Sequence, residues 1–353
     1  MLVGGQGTRL RPLTMSAPKP MLPVAGVPVT THILARARAA GITRVILATS
    51  YRAEVFEKYF SDGSELGVEL EYVTEEEPLG TGGGIRNVAD KLLSGPDEPV
   101  VVFNGDILSG LDLAALVQRH ADRDAAVTLH LTEVDDPRAF GVVPTDGDGW
   151  VKEFLEKTPE PPTNLINAGC YVFRRQVIDS IPAGRPVSVE RETFPGLLAD
   201  GIRIMSYVDN TYWLDLGTPD AFVRGSRDLV TGRIASPALP GEPGPALVLP
   251  DAHIAPNAAV DGGSAIGRNV SVGPDARVHG SVVFDDASIG AGAEIRESIV
   301  GYGATIGSGV VIEGVIVGDG AHIHPGNELR RGARIFPAAE VAPGSIRFSS
   351  DRS

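Results

Sequence analysis

From Ile254 onward the chain keeps a strict hydrophobic rhythm. Ile254, Val260, Ile266, Val272 and Val278 stand six apart; the series resumes at Val283, Ile289 and Ile295, at Val300, Ile306 and Ile312, and at Val317, Ile323, Leu329, Ile335 and Val341. Twelve of these fifteen intervals are six residues and three are five. Such a hexapeptide repeat predicts a parallel β-helix, with one apolar side chain pointing inward from each short side. The five-residue steps predict three tightened corners at 17-residue separation, and Gly267, Gly273, Gly290 and Gly307 fall near corners. In its triangular period the pattern resembles the left-handed form of that fold.

The first 230 residues are patterned differently. Val29–Ala40 reads as a helix closed by Gly41, Arg44–Ser50 as a buried strand, Val55–Phe60 as a helix and Val68–Val73 as a strand. Arg86–Leu93 reads as a helix and Pro99–Asn104 as an apolar strand buried on both faces. Between them Glu75–Gly84 reads as a loop, because a proline and four glycines crowd it. This alternation predicts an open, mostly parallel, Rossmann-like α/β sheet, whose ligands lie at the carboxyl ends of the strands. A helix over Ala221–Val230 is followed by a Pro/Gly/Ala-rich stretch, so the chain divides into an α/β domain over 1–230, a linker over 231–250 and the β-helix over 251–353. Only Met1–Val3 precede the first glycines, short for a first strand, which points to a late start codon or a shortened chain.

A net charge of −14 argues against a broad nucleic-acid surface while permitting a local basic pocket. The sequence has no apolar run of about 18 residues and no signal-peptide pattern, so no membrane span is expected. A lone cysteine, Cys170, suits a reducing cytoplasm, and its place in I-N-A-G-C-Y-V-F reads as a buried strand thiol rather than a nucleophile.

The candidate chemistry begins at Val3–Pro28, V-G-G-Q-G-T-R-L-R-P-L-T-M-S-A-P-K-P-M-L-P-V-A-G-V-P. Gly4, Gly5 and Gly7 lack the Cβ that keeps backbone away from a ligand, so successive N–H groups can turn toward an anion, with Arg9 and Lys19 close behind. The stretch matches neither the P-loop nor the dinucleotide fingerprint in spacing, and Pro12 forbids a regular helix interior directly after it.

This stretch resembles the signature of sugar-1-phosphate nucleotidyltransferases, in the form carried by mannose-1-phosphate guanylyltransferases. The resemblance implies that Gly4, Gly5, Gly7 and Thr8 wrap a nucleoside triphosphate, that Arg9 contacts the departing phosphates and that Lys19 lies by the reacting ones. It implies that Leu79, Gly80 and Thr81, in E-E-E-P-L-G-T, border the base. A carboxylate accepting from guanine N1–H and N2–H₂ would come from Glu75, Glu76 or Glu77. Asn104 and Gly105 end the strand V-V-V-F-N-G-D on the nucleotide side. Asp106, and Asp215 in Y-W-L-D-L-G-T-P, match the family's metal aspartates; with phosphate oxygens they form the hard oxygen shell that Mg²⁺ prefers.

A-F-G-V-V, F-L-E-K-T and I-N-A-G-C-Y match sugar-phosphate segments, placing Gly141 against the sugar, Glu156 on its hydroxyls, Lys157 on its phosphate and Asn167 as a further polar contact. V-E-R-E-T-F-P also matches, with no role implied beyond shaping the pocket. The expected reaction joins GTP to mannose 1-phosphate, giving GDP-mannose and pyrophosphate. The alternatives are UTP, dTTP or ATP with glucose 1-phosphate or another sugar, and a catalytically silent regulatory paralogue. The β-helix implies homo-oligomer contacts. Acyl transfer on it is disfavoured, because His253, His279, His322 and His324 all lie in or beside the regular rhythm.

Overall fold

The computed structural model describes residues 1–347, so 348–353 of the expected β-helix segment lie outside the described residues. Compactness divides the chain into two units that do not follow sequence order: Met1–Gly5 with Arg36–Trp213, and Gln6–Ala35 with Leu214 onward.

In the first unit strands Arg44–Thr49 and Glu69–Thr74 pair in parallel, as do Val127–Glu133 and Ile204–Val208. Leu2 joins the halves through single parallel bridges to Ala48 and Asn104. The expected Rossmann-like sheet is present. Within it the long strand Leu165–Arg174 runs antiparallel to both Val127–Glu133 and Pro99–Phe103, an arrangement that strand and helix alternation does not reveal. Its pairing with Val127–Glu133 slips between Asn167 and Tyr171, a bulge that re-aims backbone next to the end of Pro99–Phe103. Apolar faces close over the sheet around Phe173, Phe194, Leu129 and Ile204, and the Phe194 ring lies 5.4 Å from both Tyr171 and Phe154. Cys170 is buried in that strand, where burial pushes its thiol up to about 12.

Two local expectations give way to packing. Gly80–Asn87 is a helix rather than the end of a loop, and the helix expected over Arg86–Leu93 is reduced to a 3-10 turn at Ala89–Lys91. The glycines serve close approach rather than helix breaking. A Cβ on Gly83 would lie 2.7 Å from Leu79 Cβ and 2.9 Å from Arg185 O, and one on Gly84 would lie 2.7 Å from Glu75 Oε1. An apolar cavity of about 400 Å³ is lined by Leu2, Val45, Ile46, Val100, Val102 and Ile178. The Met1 amino group, which also lines it, donates to Ile46 O at 2.7 Å, and burial pushes its pKa down to about 5.

In the second unit the solenoid is built as expected, from parallel ladders of six, six and five short strands. Register follows the repeat: Ile266, Val283, Val300 and Val317 stack in one column, Val272, Ile289, Ile306 and Ile323 in the next. These inward residues are at most 2% exposed. The rhythm starts one step earlier than read from sequence, at Ala246–Val248, inside the stretch assigned to the linker. Prolines and glycines before it, and Pro250 after it, obscured a single three-residue strand.

The tightened corners take left-handed residues, Gly280, Glu297 and Gly314. A serine ladder fills them: Ser281 N donates to Ser264 Oγ, Ser298 N to Ser281 Oγ and Val315 N to Ser298 Oγ, each at 3.1 Å. These hydroxyls satisfy backbone N–H groups that the shortened corner buries. Beside the solenoid, helix Pro219–Val230 is capped by Thr218, and its Ser226 Oγ accepts from Ala25 N at 3.0 Å. His32 ties the same region together, its Nε2 donating to Val24 O at 2.8 Å, which leaves Nδ1 to accept from Ser236 Oγ at 2.6 Å. Among the described residues no helix is long and apolar enough to cross a membrane.

Candidate active site

The second unit holds a cluster of opposite charges built on the glycine loop. Prolines 12, 18 and 20 break this stretch into 3-10 turns at Thr8–Leu10, Leu13–Met15 and Lys19–Met21. Gly7 sits in the left-handed region at φ 57, so near the last turn that a Cβ would lie 2.7 Å from Lys19 Cβ, and Thr14 Oγ1 donates to its carbonyl at 3.0 Å. Lys19 is consequently fixed and only 6% exposed, with Nζ 3.5 Å from Asp215 Oδ1. Arg9, itself exposed, brings its guanidinium to the same place: a Cβ on Gly217 would strike it and would also lie 2.9 Å from Asp215 Oδ1. That carboxylate oxygen is buried and accepts no hydrogen bond among the described residues. Its contact with Lys19 is a charge contact at a length beyond a normal hydrogen bond. Two cations and one under-coordinated carboxylate therefore face each other across a glycine that must be a glycine.

The first unit assembles the remaining candidates in three groups. At the strand ends, Gly4 O accepts from Ser50 Oγ at 2.6 Å while Gly5 borders open space. Gly105 N donates to Leu2 O at 2.9 Å, an approach that any Cβ would block at 2.7 Å. Asn104 N donates to Gly169 O at 2.9 Å across the bulge, and Gly169 N donates to Asn167 Oδ1 at 3.2 Å. Asn167 Nδ2 in turn donates to Tyr171 Oη at 2.8 Å, so Asn104, Gly105 and Asn167 form one frame, with the half-buried Asp106 following directly. Asn104 Oδ1 is buried without a hydrogen-bond partner among the described residues, a polar atom left for something else to satisfy.

The second group is Gly141, Glu156 and Lys157. Gly141 pairs with Glu156 in a short antiparallel ladder, and a Cβ on it would lie 3.0 Å from Glu156 Oε2. Lys157 takes a left-handed backbone, φ 53, and puts Nζ 3.7 Å from Glu156 Oε1.

The third group is Leu79–Thr81 at the helix start. Of the three carboxylates offered for a base, Glu75 is engaged inside the turn: Oε2 accepts from Leu79 N at 3.0 Å, and burial holds its carboxyl above the usual range. Glu76 and Glu77 are exposed. Sequence reasoning missed two contributors. Gly217 carried no signal beyond following a motif aspartate. Ser188–Glu190 lay in a motif given no chemistry, yet Glu190 Oε2 receives Thr81 Oγ1 at 2.8 Å.

Comparison with known proteins places the two halves of the chain. A family model described as nucleotidyl transferase matches residues 1–232, and one described as the GMPPB C-terminal domain matches 243–346. The chain is similar to mannose-1-phosphate guanylyltransferase of Mycobacterium tuberculosis, at 59% identity over 352 residues, 99% of this chain and 97% of that protein. It is also similar to the mannose-1-phosphate guanylyltransferase catalytic subunit beta of Drosophila pseudoobscura pseudoobscura, at 42% identity over 64% of this chain and 60% of that one. Among solved structures, HddC from Yersinia pseudotuberculosis complexed with GMP-PN aligns with a TM-score of 0.56 and 27% identity, covering 64% of this chain and 96% of the other.

Proposed function

The chain belongs to the nucleotidyl transferase family, among its mannose-1-phosphate guanylyltransferases, and from that premise we propose that it joins GTP to mannose 1-phosphate, releasing pyrophosphate and GDP-mannose. The observation that carries the reading is the gathering of Arg9, Lys19 and Asp215 about Gly217, with Asp215 Oδ1 in charge contact with Lys19 but accepting no hydrogen bond among the described residues. The choice of GTP and mannose 1-phosphate is supported by the names of the relatives and by the GMP-PN with which HddC is complexed.

The attacking phosphate is already ionised at neutral pH, so the reaction needs no protein nucleophile. Its barrier lies in bringing anions together and in the charge that gathers on departing pyrophosphate, and fixed cations lower it. Lys19, held by Gly7 and Asp215, offsets charge at the reacting phosphates, and Arg9 stabilises pyrophosphate. Lys157 meets the sugar phosphate, Glu156 and Asn167 accept from and donate to sugar hydroxyls, and Gly141 keeps Glu156 accessible. A divalent ion, when bound, polarises the phosphoryl oxygens as a Lewis acid. Asp215, whose orphaned Oδ1 suits a cation, and Asp106 are the carboxylates that would hold it, and their hard oxygens favour Mg²⁺. The Cys170 thiol, buried and kept protonated, fits a cytoplasmic protein, and the solenoid offers the surface for contacts between copies.

Pyrophosphate release over a panel of nucleoside triphosphates and sugar 1-phosphates tests the reading. GTP with mannose 1-phosphate should give the highest kcat/KM. A preference for UTP, dTTP or ATP would reassign the substrates, and no release with any pair would leave a silent paralogue. Asp215→Asn should remain folded and lose its response to Mg²⁺; an unchanged metal titration would move the ligand elsewhere.

A further inference from the structure

We propose that Glu190 is a positioning residue for the turn that borders the nucleotide base, acting through the hydroxyl of Thr81; the inference rests on the assignment of Leu79–Thr81 to the base.

Thr81 and Glu190 are 109 residues apart in sequence, yet Thr81 Oγ1 donates to Glu190 Oε2 at 2.8 Å and accepts from Val189 N at 3.0 Å. A hydroxyl has one proton to give. Thr81 gives it to Glu190, so the side chain is engaged inward and its work is to hold the turn. Ser188 Oγ donates to the same carboxylate oxygen at 2.7 Å, which fixes the Glu190 side chain from a second direction. Backbone contacts complete the clamp: Val187 N donates to Leu79 O at 2.9 Å, and Gly82 N and Gly83 N donate to Val187 O at 2.8 and 3.2 Å. The two segments run so close that a Cβ on Gly80 would lie 2.7 Å from Val187 O.

The turn needs such a clamp. Gly80, Gly82, Gly83 and Gly84 fall in the first turns of the Gly80–Asn87 helix, and glycine is the ordinary residue least able to hold a helix by itself. Its order is therefore imported. The π-helical turn Val189–Thr193 supplies it, with Ser188 Oγ accepting from Arg191 N at 3.2 Å to start that turn and to orient Glu190. Loosening the clamp leaves the reacting groups in place while the base loses a pre-formed seat, which raises the nucleotide KM more than it lowers kcat.

Steady-state kinetics varying each substrate in turn, on the full chain, decide the matter. Glu190→Ala and Thr81→Val should each raise KM for GTP about tenfold, the scale of one hydrogen bond to a charged group, and leave KM for mannose 1-phosphate within about twofold. Thr81→Ser, which keeps the hydroxyl, should restore the wild-type value. The double variant should fall well short of the product of the two single effects, since both remove the shared contact between Thr81 and Glu190. Amide hydrogen exchange over 79–83 should quicken in Thr81→Val and in Glu190→Ala, a readout independent of turnover. If Glu190→Ala fails to fold, Glu190→Gln and Thr81→Val carry the test. A rise in KM for mannose 1-phosphate instead of GTP would make Glu190 a sugar contact and overturn the proposal, as would multiplicative effects in the double variant or unchanged exchange. Should the wild type prefer another nucleotide, the GTP assignment falls, and KM for that nucleotide decides the role of Glu190 in the same way.

Discussion

The β-helix and the turn Glu75–Gly84 both depend on glycines that let other chain segments approach the backbone closely, and they differ in where the neighbour comes from. In the β-helix a Cβ on Gly290 would lie 2.6 Å from Ser308 N and one on Gly307 would lie 2.6 Å from Pro325 N, the same contact one coil further on. In the turn the neighbours follow no fixed offset: Val187 for both Gly80 and Gly82, Arg185 O for Gly83, and the Glu75 side-chain Oε1 for Gly84. A repeated offset writes the neighbour into the sequence. A unique long-range contact does not, and the same residue then reads as a helix breaker.

The sharpest test of the repeating region is energetic equivalence. Ile289, Ile306 and Ile323 stack in one column and are all at most 2% exposed, so truncation of any one to alanine should cost about 4 kcal/mol, within the usual range for a buried aliphatic side chain. The three values, from urea unfolding, should agree within about 1 kcal/mol, as identical surroundings require. A spread as wide as that of unrelated core sites would show that register alone does not set the packing. The non-repeating region should respond in function. Arg9→Ala removes a preorganised cation and should lower kcat by two orders of magnitude, about 3 kcal/mol in the barrier, with an unchanged melting temperature. Near-normal turnover would remove Arg9 from the pyrophosphate side. Smaller again, Ser281→Ala strips the acceptor of Ser298 N inside a tight corner and should cost about 2 kcal/mol, the penalty of a buried unpaired amide. Ser298→Ala should match it by leaving Val315 N unpaired; neutrality in both would mean that the ladder is decoration.

Legibility followed the same divide. The periodic inward series of the solenoid from Ile254 to Val341 could be read in advance, because each coil repeats the environment of the last, whereas the second buried set two residues earlier, Ala276, Ala293 and Val310 among it, was not read. Its tight corners were placed by three five-residue steps, although the serines that satisfy them were overlooked despite their own 17-residue spacing at 264, 281 and 298. The strand Ala246–Val248 escaped because the prolines and glycines before it and Pro250 after it outweighed three residues of pattern. In the α/β region strands were readable as apolar runs, but the antiparallel course of Leu165–Arg174 depends on partners that no local pattern names. At the site, Arg9, Lys19 and Asp215 were visible as motif residues, and the structure gathers these three. What could not be seen was how they are held: Gly217 as the point of close approach, and Glu190 as the far end of a bond from Thr81.

Glu75 gives the smallest effect and decides a question that the sequence left open among three carboxylates. Its side chain accepts from Leu79 N, and burial, the larger influence, raises its pKa against the lowering effect of that bond. A carboxyl whose folded pKa is raised stabilises the fold below its unfolded pKa and loses that contribution as pH rises through the folded value. At neutral pH the buried charge is therefore a mild burden. Glu75→Gln keeps an acceptor for Leu79 N and discards the charge, so it should be neutral or stabilising by less than about 0.5 kcal/mol, given the partial exposure of the site. It should also abolish the small gain in stability that the wild type shows on acidification toward the carboxylate range. If Glu75 serves the turn alone, KM for GTP stays at the wild-type value in Glu75→Gln. If guanine donates to its free oxygen, KM rises while the stability change keeps the same sign, and the turn then has a recognition role beyond the one its hydrogen bonds display.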